Sequence, residues 1–219
     1  MSPWQAFDIA LDHLVVATPS LGAGTEWLEE RLGVSLQVGG QHPGWGTHNR
    51  LLQLGPDTYL ELIAPDPTQP PPAGPRPFGL DRPEVRARIS QQPRLIHFVM
   101  RTEHLEAARA VLGYDPGPIT PMTRGALRWR ITVPASGQPA GEGLLPTLIQ
   151  WDVDLATGHP ARTLEDRSVR LARLSVTAPA ELRPLLAGID RDPRVRLTEG
   201  AVGTLAATFA TPRGIVTID

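Results

Sequence analysis

Four polar side chains interrupt apolar runs in this chain, and they come in two pairs. Leu11-Asp12-His13-Leu14-Val15 is matched by Tyr59-Leu60-Glu61-Leu62-Ile63, with 48 residues from His13 to Glu61. Leu95-Ile96-His97-Phe98-Val99 is matched by Leu148-Ile149-Gln150-Trp151, with 53 residues from His97 to Gln150. Each run has the length and composition of a buried strand. Period-two alternation puts His13 with Leu11 and Val15, Glu61 with Tyr59 and Ile63, His97 with Leu95 and Val99, and Gln150 with Leu148. Asp12 then faces the other way and reads as structural. A carboxylate in the middle of an apolar strand is costly unless a metal, an arginine or water partners it. A divalent cation between His13, His97 and Glu61 meets that need and keeps both imidazoles neutral, and Gln150 adds a neutral oxygen.

Composition narrows the chemistry. Cysteine is absent, so a metal would be held by nitrogen and oxygen, which suits Zn, Ni, Co, Mn or Fe(II). All 21 basic residues are arginine, so no lysine Schiff base can form. A net charge of −2 gives no electrostatic footprint for nucleic acid. No apolar run has the length of a membrane span, and the first ten residues lack a signal-peptide pattern. These features point to a cytoplasmic protein with a small-molecule partner, without nucleic acid or membrane. Its Arg, Pro, Ala and Gly richness suggests a bacterial source.

The elements that must position these residues form an α+β pattern. Residues 8–66 read β-α-β-β-β, with a helix over 21–32 closed by Gly33. Residues 67–93 form a proline-rich connection, expected to run extended over the surface. Residues 94–153 repeat β-α-β-β-β, and residues 169–219 echo that order a third time, with Arg173 where the earlier copies have histidine. A repeated unit too small to bury its own sheet face calls for pairing.

Other candidates surround the four. His42-Pro-Gly-Trp-Gly-Thr-His-Asn49 reads as a glycine-rich turn that presents Trp45, His48 and Asn49 to a ligand. Arg128 and Arg130 share a strand face, and Arg128 is the candidate for an anionic substrate. Trp151 and His159 complete the candidate substrate contacts, with His159 at the cavity mouth.

The order and spacing of Asp12-His13-Leu14-Val15, Gly46-Thr47-His48-Asn49, Tyr59-Leu60-Glu61-Leu62-Ile63 and Leu148-Ile149-Gln150-Trp151-Asp152 resemble the vicinal oxygen chelate superfamily, and its glyoxalase-like domain family in particular. That resemblance implies paired βαβββ modules curled around one site, monomeric or homodimeric. It also implies a metal held by His13, Glu61, His97 and Gln150, which acts as a Lewis acid on an enediolate or oxyanion of a vicinal-oxygen metabolite. Glu61, or a displaced ligand, would shuttle the proton. Gln150 stands where metal-dependent glyoxalases usually have glutamate. The remaining two histidines and one carboxylate match an extradiol-type Fe(II) dioxygenase, and a metal-free sequestering protein is the third class. The C-terminal repeat is expected at a sheet edge or over the cavity mouth.

Overall fold

The computed structural model describes residues 3–219. A short helix, α1 (Pro3–Ala6), precedes the first module: β1 (Ala10–Ala17), α2 (Leu21–Leu32), β2 (Gln37–His42), β3 (Thr47–Gln53) and β4 (Tyr59–Pro65). Helix α2 ends on Gly33, whose left-handed backbone (φ +71°) lets its N–H reach Glu29 O at 2.8 Å. Helix α3 (Pro83–Ile89) leads to the second module: β5 (Arg94–Arg101), α4 (Leu105–Val111), β6 (Ile119–Arg124), β7 (Leu127–Thr132) and β8 (Thr147–Trp151). After α5 (Pro160–Thr163) come β9 (Arg170–Ala178), α6 (Arg183–Leu186), β10 (Val195–Glu199), β11 (Thr204–Thr211) and β12 (Gly214–Ile218).

The two modules share one eight-stranded sheet, ordered β2-β3-β4-β1-β5-β8-β7-β6. Strands β1 and β5 run antiparallel at its centre. His13 stands opposite Val99 and Val15 opposite His97, so the modules are related by a local twofold axis. Each central strand carries one extra residue at the equivalent place, Asp12 in β1 and Ile96 in β5. Such a bulge breaks the alternation of faces and bends the strand. The sheet curls until its edges meet: a Cβ on Gly40 of β2 would lie 2.4 Å from Cδ of Arg124 in β6.

One face of this sheet carries Leu14, Leu60, Leu62, Phe98 and Leu148, which pack with Leu28 and Leu32 of α2 and with Leu105 and Ala108 of α4. Each such leucine or phenylalanine burial contributes about 1.5–3 kcal/mol. The other face carries a second apolar cluster around the cavity, including Val15, Ile63, Val99, Ile131 and Ile149.

The C-terminal unit repeats the element order β-α-β-β-β with different pairing. In both modules the first strand pairs in parallel with the fourth, whereas β9 pairs in parallel with β10 in a separate sheet ordered β10-β9-β11-β12. Its Leu171, Leu174, Val176 and Phe209 join the helix-side core. The expectation that this unit lies at a sheet edge or over the cavity mouth is therefore corrected. It backs the opposite face, because its alternating apolar residues need the same core that the helices cover.

The proline-rich connection is more than a surface loop. Pro77 and Phe78 form part of the cavity wall. Arg76 Nε donates to Gly46 O (3.0 Å) and Gly79 N–H donates to Gly137 O (2.8 Å), which ties this strap to both modules. Gly137, at φ +71°, is needed there, since a Cβ would lie 2.2 Å from Arg76 O. Among the described residues, no helix is long and apolar enough to cross a membrane.

Candidate active site

The bulge in β1 decides the first half of the site. It brings Asp12 to the same side as its neighbour, and His13 Nδ1 donates to Asp12 Oδ1 at 2.6 Å. Asp12 Oδ2 accepts from Trp151 Nε1 and from His159 Nε2, each at 2.9 Å. His159 Nδ1 accepts from Ala161 N–H (3.2 Å), which fixes the proton on Nε2. Burial alone would raise the Asp12 carboxyl, but the hydrogen bonds from His13 and His159 outweigh it and hold Asp12 well below the usual carboxylate range. With Nδ1 committed, His13 turns Nε2 to the cavity, 3.7 Å from Glu61 Oε2. Tyr59, two residues before Glu61, stacks on the His13 ring at 4.6 Å between centroids.

Glu61 is held by its other oxygen. Asn49 Nδ2 donates to Glu61 Oε1 at 2.6 Å and approaches His42 Nε2 at 3.4 Å. The Asn49 carbonyl accepts from Gly40 N–H (2.8 Å) and from Arg124 Nη1 (3.4 Å). His42 Nδ1 bonds Thr47 Oγ1 at 2.9 Å, and burial pushes His42 down, so it is a neutral ring. Gly39 leaves room for this amide, since a Cβ there would lie 1.9 Å from Asn49 Oδ1. The cavity they face is open to solvent. Its walls include Trp45, Phe78, Met122, Arg124, Trp129, Ile149 and Trp151.

The second half of the site is closed. Glu61 stands opposite Val15, and by the twofold its counterpart is the residue opposite Val99, which is Thr147 and not Gln150. His97 Nδ1 donates to Gly143 O at 2.8 Å, and Nε2 accepts from Thr147 N–H (3.1 Å) and lies 3.0 Å from Thr147 Oγ1. Both ring nitrogens are used, and burial pushes His97 down to about 4. Gly143, at φ +97°, permits this contact; a Cβ there would lie 2.5 Å from Ile96 O. Gln150 lies on the helix side, where Oε1 accepts from Leu105 N–H (3.2 Å) at the start of α4. It supplies the N-terminal cap that His104 does not provide. Of the four expected ligands, only His13 and Glu61 converge. Among the described residues, no three His, Asp or Glu side chains come together as a metal-binding group. The residues present therefore do not fit the four-ligand metal site.

The other candidates divide in the same way. Trp45, Asn49 and Trp151 line the cavity. His48 does not; its Nδ1 lies 3.8 Å from Oδ1 of Asp66, just past the end of β4. Arg128 is exposed and Arg130 pairs with Glu106, because Trp129 and Ile131 take the cavity face of β7. His159 is buried behind Asp12 instead of standing at the mouth. Four residues of this arrangement, Asp12, His42, Tyr59 and Arg124, were not among the site residues expected from the sequence. The pair Gly39-Gly40, which clears space for Asn49 and Arg124, was the signal for two of the site's members.

Comparison with known proteins agrees with this architecture. The model of the glyoxalase-like domain family matches residues 11–188. A hypothetical protein from Staphylococcus aureus is 13% identical over 96% of this chain and 99% of its own, with a TM-score of 0.59. Methylmalonyl-CoA epimerase from Mycobacterium tuberculosis is 19% identical over 65% of this chain and 86% of its own, with a TM-score of 0.37. A Streptomyces coelicolor methylmalonyl-CoA epimerase in complex with 2-nitronate-propionyl-CoA is 16% identical over 66% of this chain and 95% of its own, with a TM-score of 0.40. None of the curated proteins matches this chain. The Staphylococcus aureus structure shares the fold over nearly the full length, C-terminal sheet included. The family match covers both modules and reaches α6, and the protein belongs to the glyoxalase-like domain family of the vicinal oxygen chelate superfamily.

Proposed function

We propose that this protein is a glyoxalase-like enzyme of the lyase or isomerase type, which moves a proton at a carbon next to a carbonyl in a small oxygenated molecule. The observation that carries this reading is the pair Glu61 Oε2 and His13 Nε2, 3.7 Å apart and facing one cavity. Asn49 holds Glu61 by Oε1 and leaves Oε2 free for the substrate. Glu61 takes the proton from carbon, and the C–H electron pair moves through the new C=C bond onto the carbonyl oxygen. That oxygen takes a proton from His13 Nε2, while Asp12 holds the ring through Nδ1. Return of the proton from Glu61 to the former carbonyl carbon, while the hydroxyl on the first carbon gives its proton to His13 Nε2 and becomes the new carbonyl, completes an isomerisation. Departure of a leaving group from the β-carbon with its bonding pair, as the enol proton returns to His13 Nε2 and the carbonyl re-forms, completes an elimination.

Divalent metals are common in this superfamily. In this chain two of the four ligand positions converge, so proton transfer rests on the side chains described. The ring-cleaving dioxygenase reading needs His97 beside His13 and Glu61, and His97 is engaged with Gly143 and Thr147. The test is deuterium wash-in from D2O at the carbon next to the carbonyl of 2-oxo acids and hydroxyketones, followed by NMR. The proposal expects exchange that depends on Glu61. Saturable ligand binding with no exchange of any such proton would favour the sequestering protein.

A further inference from the structure

Arg124 stands inside the cavity without a carboxylate partner. Among the described residues, no carboxylate oxygen lies within 4 Å of its guanidinium, whereas Arg76, Arg101, Arg130 and Arg194 are each ion-paired. Its Cζ lies 6.0 Å from the centroid of the Trp129 ring, and Nη1 reaches Asn49 Oδ1 at 3.4 Å. Gly40 gives its aliphatic stem a path across the sheet edge. Arg124 is thus seated against two groups of the cavity, with the rest of its donor fork left for a ligand. A guanidinium binds carboxylate through two parallel N–H bonds, and the attraction strengthens where water is sparse.

The walls specify the rest of the ligand. Aromatic residues make up only 5% of the chain, yet three of its five tryptophans, Trp45, Trp129 and Trp151, line this cavity together with Tyr59 and Phe78. Flat rings bury large areas against one another and favour offset or edge-to-face contact. Glu61 opposes an anion, and the Arg124 guanidinium offsets it.

We propose that the cavity takes a carboxylate with a flat aromatic body, its carboxylate on Arg124 and its ring among the tryptophans and Phe78. Asn49 touches both Arg124 and Glu61, so the bound carboxylate lies about one amide group from the base. A carbon close to the acid group is then the one presented to Glu61. This names the substrate class of the site described above. It rests on the proton-transfer reading for the word substrate, while the binding itself does not.

The cavity tryptophans give the readout. Intrinsic fluorescence of the full chain is titrated with phenylacetate, its neutral analogue phenylacetamide, and acetate. Phenylacetate should give a saturable change, with an affinity at least about tenfold above phenylacetamide and acetate. Arg124→Gln should erase the preference of acid over amide, and Arg128→Gln, on the outer face, should keep it. Acid and amide binding alike in the unaltered protein would overturn the proposal without recourse to any variant. So would acetate binding as tightly as phenylacetate, no saturable change with any probe, or a preference that survives in Arg124→Gln. If phenylacetate binds as expected while Glu61→Gln leaves proton exchange unchanged, the proton-transfer reading fails and the binding class stands.

Discussion

His13 and His97 occupy equivalent positions of two related modules, and they are held in opposite ways. Behind His13 stands Asp12, at the bulge; behind His97 the same place is taken by apolar Ile96. In front of His13 stands Glu61; in front of His97 stands Thr147. His13 therefore has one nitrogen fixed by a carboxylate and the other aimed at an acid across 3.7 Å. His97 has both nitrogens spent on Gly143 and Thr147. Two neighbours thus set the difference between these mid-strand histidines: one that holds Nδ1 and one that leaves Nε2 free to face the cavity.

The sharpest way to break this comparison is to exchange roles by mutation. His13→Gln should lower proton exchange by about 10²–10⁴-fold, the usual worth of a positioned acid–base group. His97→Ala should do the reverse. It opens a cavity beside Phe78 and leaves Gly143 O without its donor. Unfolding in urea should show a loss of about 2–5 kcal/mol, while the folded fraction keeps its exchange rate. A His97→Ala protein of full stability but no activity would place the chemistry in the wrong module.

The pH dependence sharpens the same contrast. The unfolded chain protonates His97 near 6.5, whereas the folded protein holds it neutral down to about 4. The unfolded state therefore binds more protons between these values, and the His97 share of stability falls as pH drops from 6.5 to 4, then levels off. Unfolding free energies across that window should decline less steeply in His97→Gln than in the unaltered protein. A parallel decline would contradict the closed half-site.

The smallest effects concern the two features expected from a four-ligand metal site. Gln150→Ala removes the acceptor at the start of α4 and should cost about 1 kcal/mol, with no change in exchange rate. Treatment with a strong chelator should likewise leave exchange unchanged, because the ligand set is split between the two faces of the sheet. Activity lost on chelation and restored by one divalent metal would reverse this conclusion.

The fold and the approach of two candidate residues, His13 and Glu61, were legible in the sequence, for identifiable reasons. The run Leu11–Val15, the helix ending at Gly33 and the strand around Glu61 follow from apolar patterning and a left-handed cap. Adjacency of β1 and β4 then brings His13 to Glu61. The bulges at Asp12 and Ile96 leave no mark in composition, so alternation placed Asp12 on the wrong face. Leu148-Ile149-Gln150-Trp151 mimics Leu60-Glu61-Leu62, and only the strand register shows that the match is offset by three residues. Arg124 was passed over for Arg128 because the face of a hairpin strand depends on its turn, here at Gly125 (φ +58°), and not on the sequence of the strand alone.

The central claim is that proton chemistry belongs to the first module alone, and the most direct test compares the equivalent residues. Deuterium exchange on an aryl-substituted 2-oxo carboxylate is measured for Glu61→Gln and for Thr147→Val under identical conditions. The account predicts a drop of about 10²–10⁴-fold for Glu61→Gln and an unchanged rate for Thr147→Val. Equal losses in both, or a loss only in Thr147→Val, would contradict it.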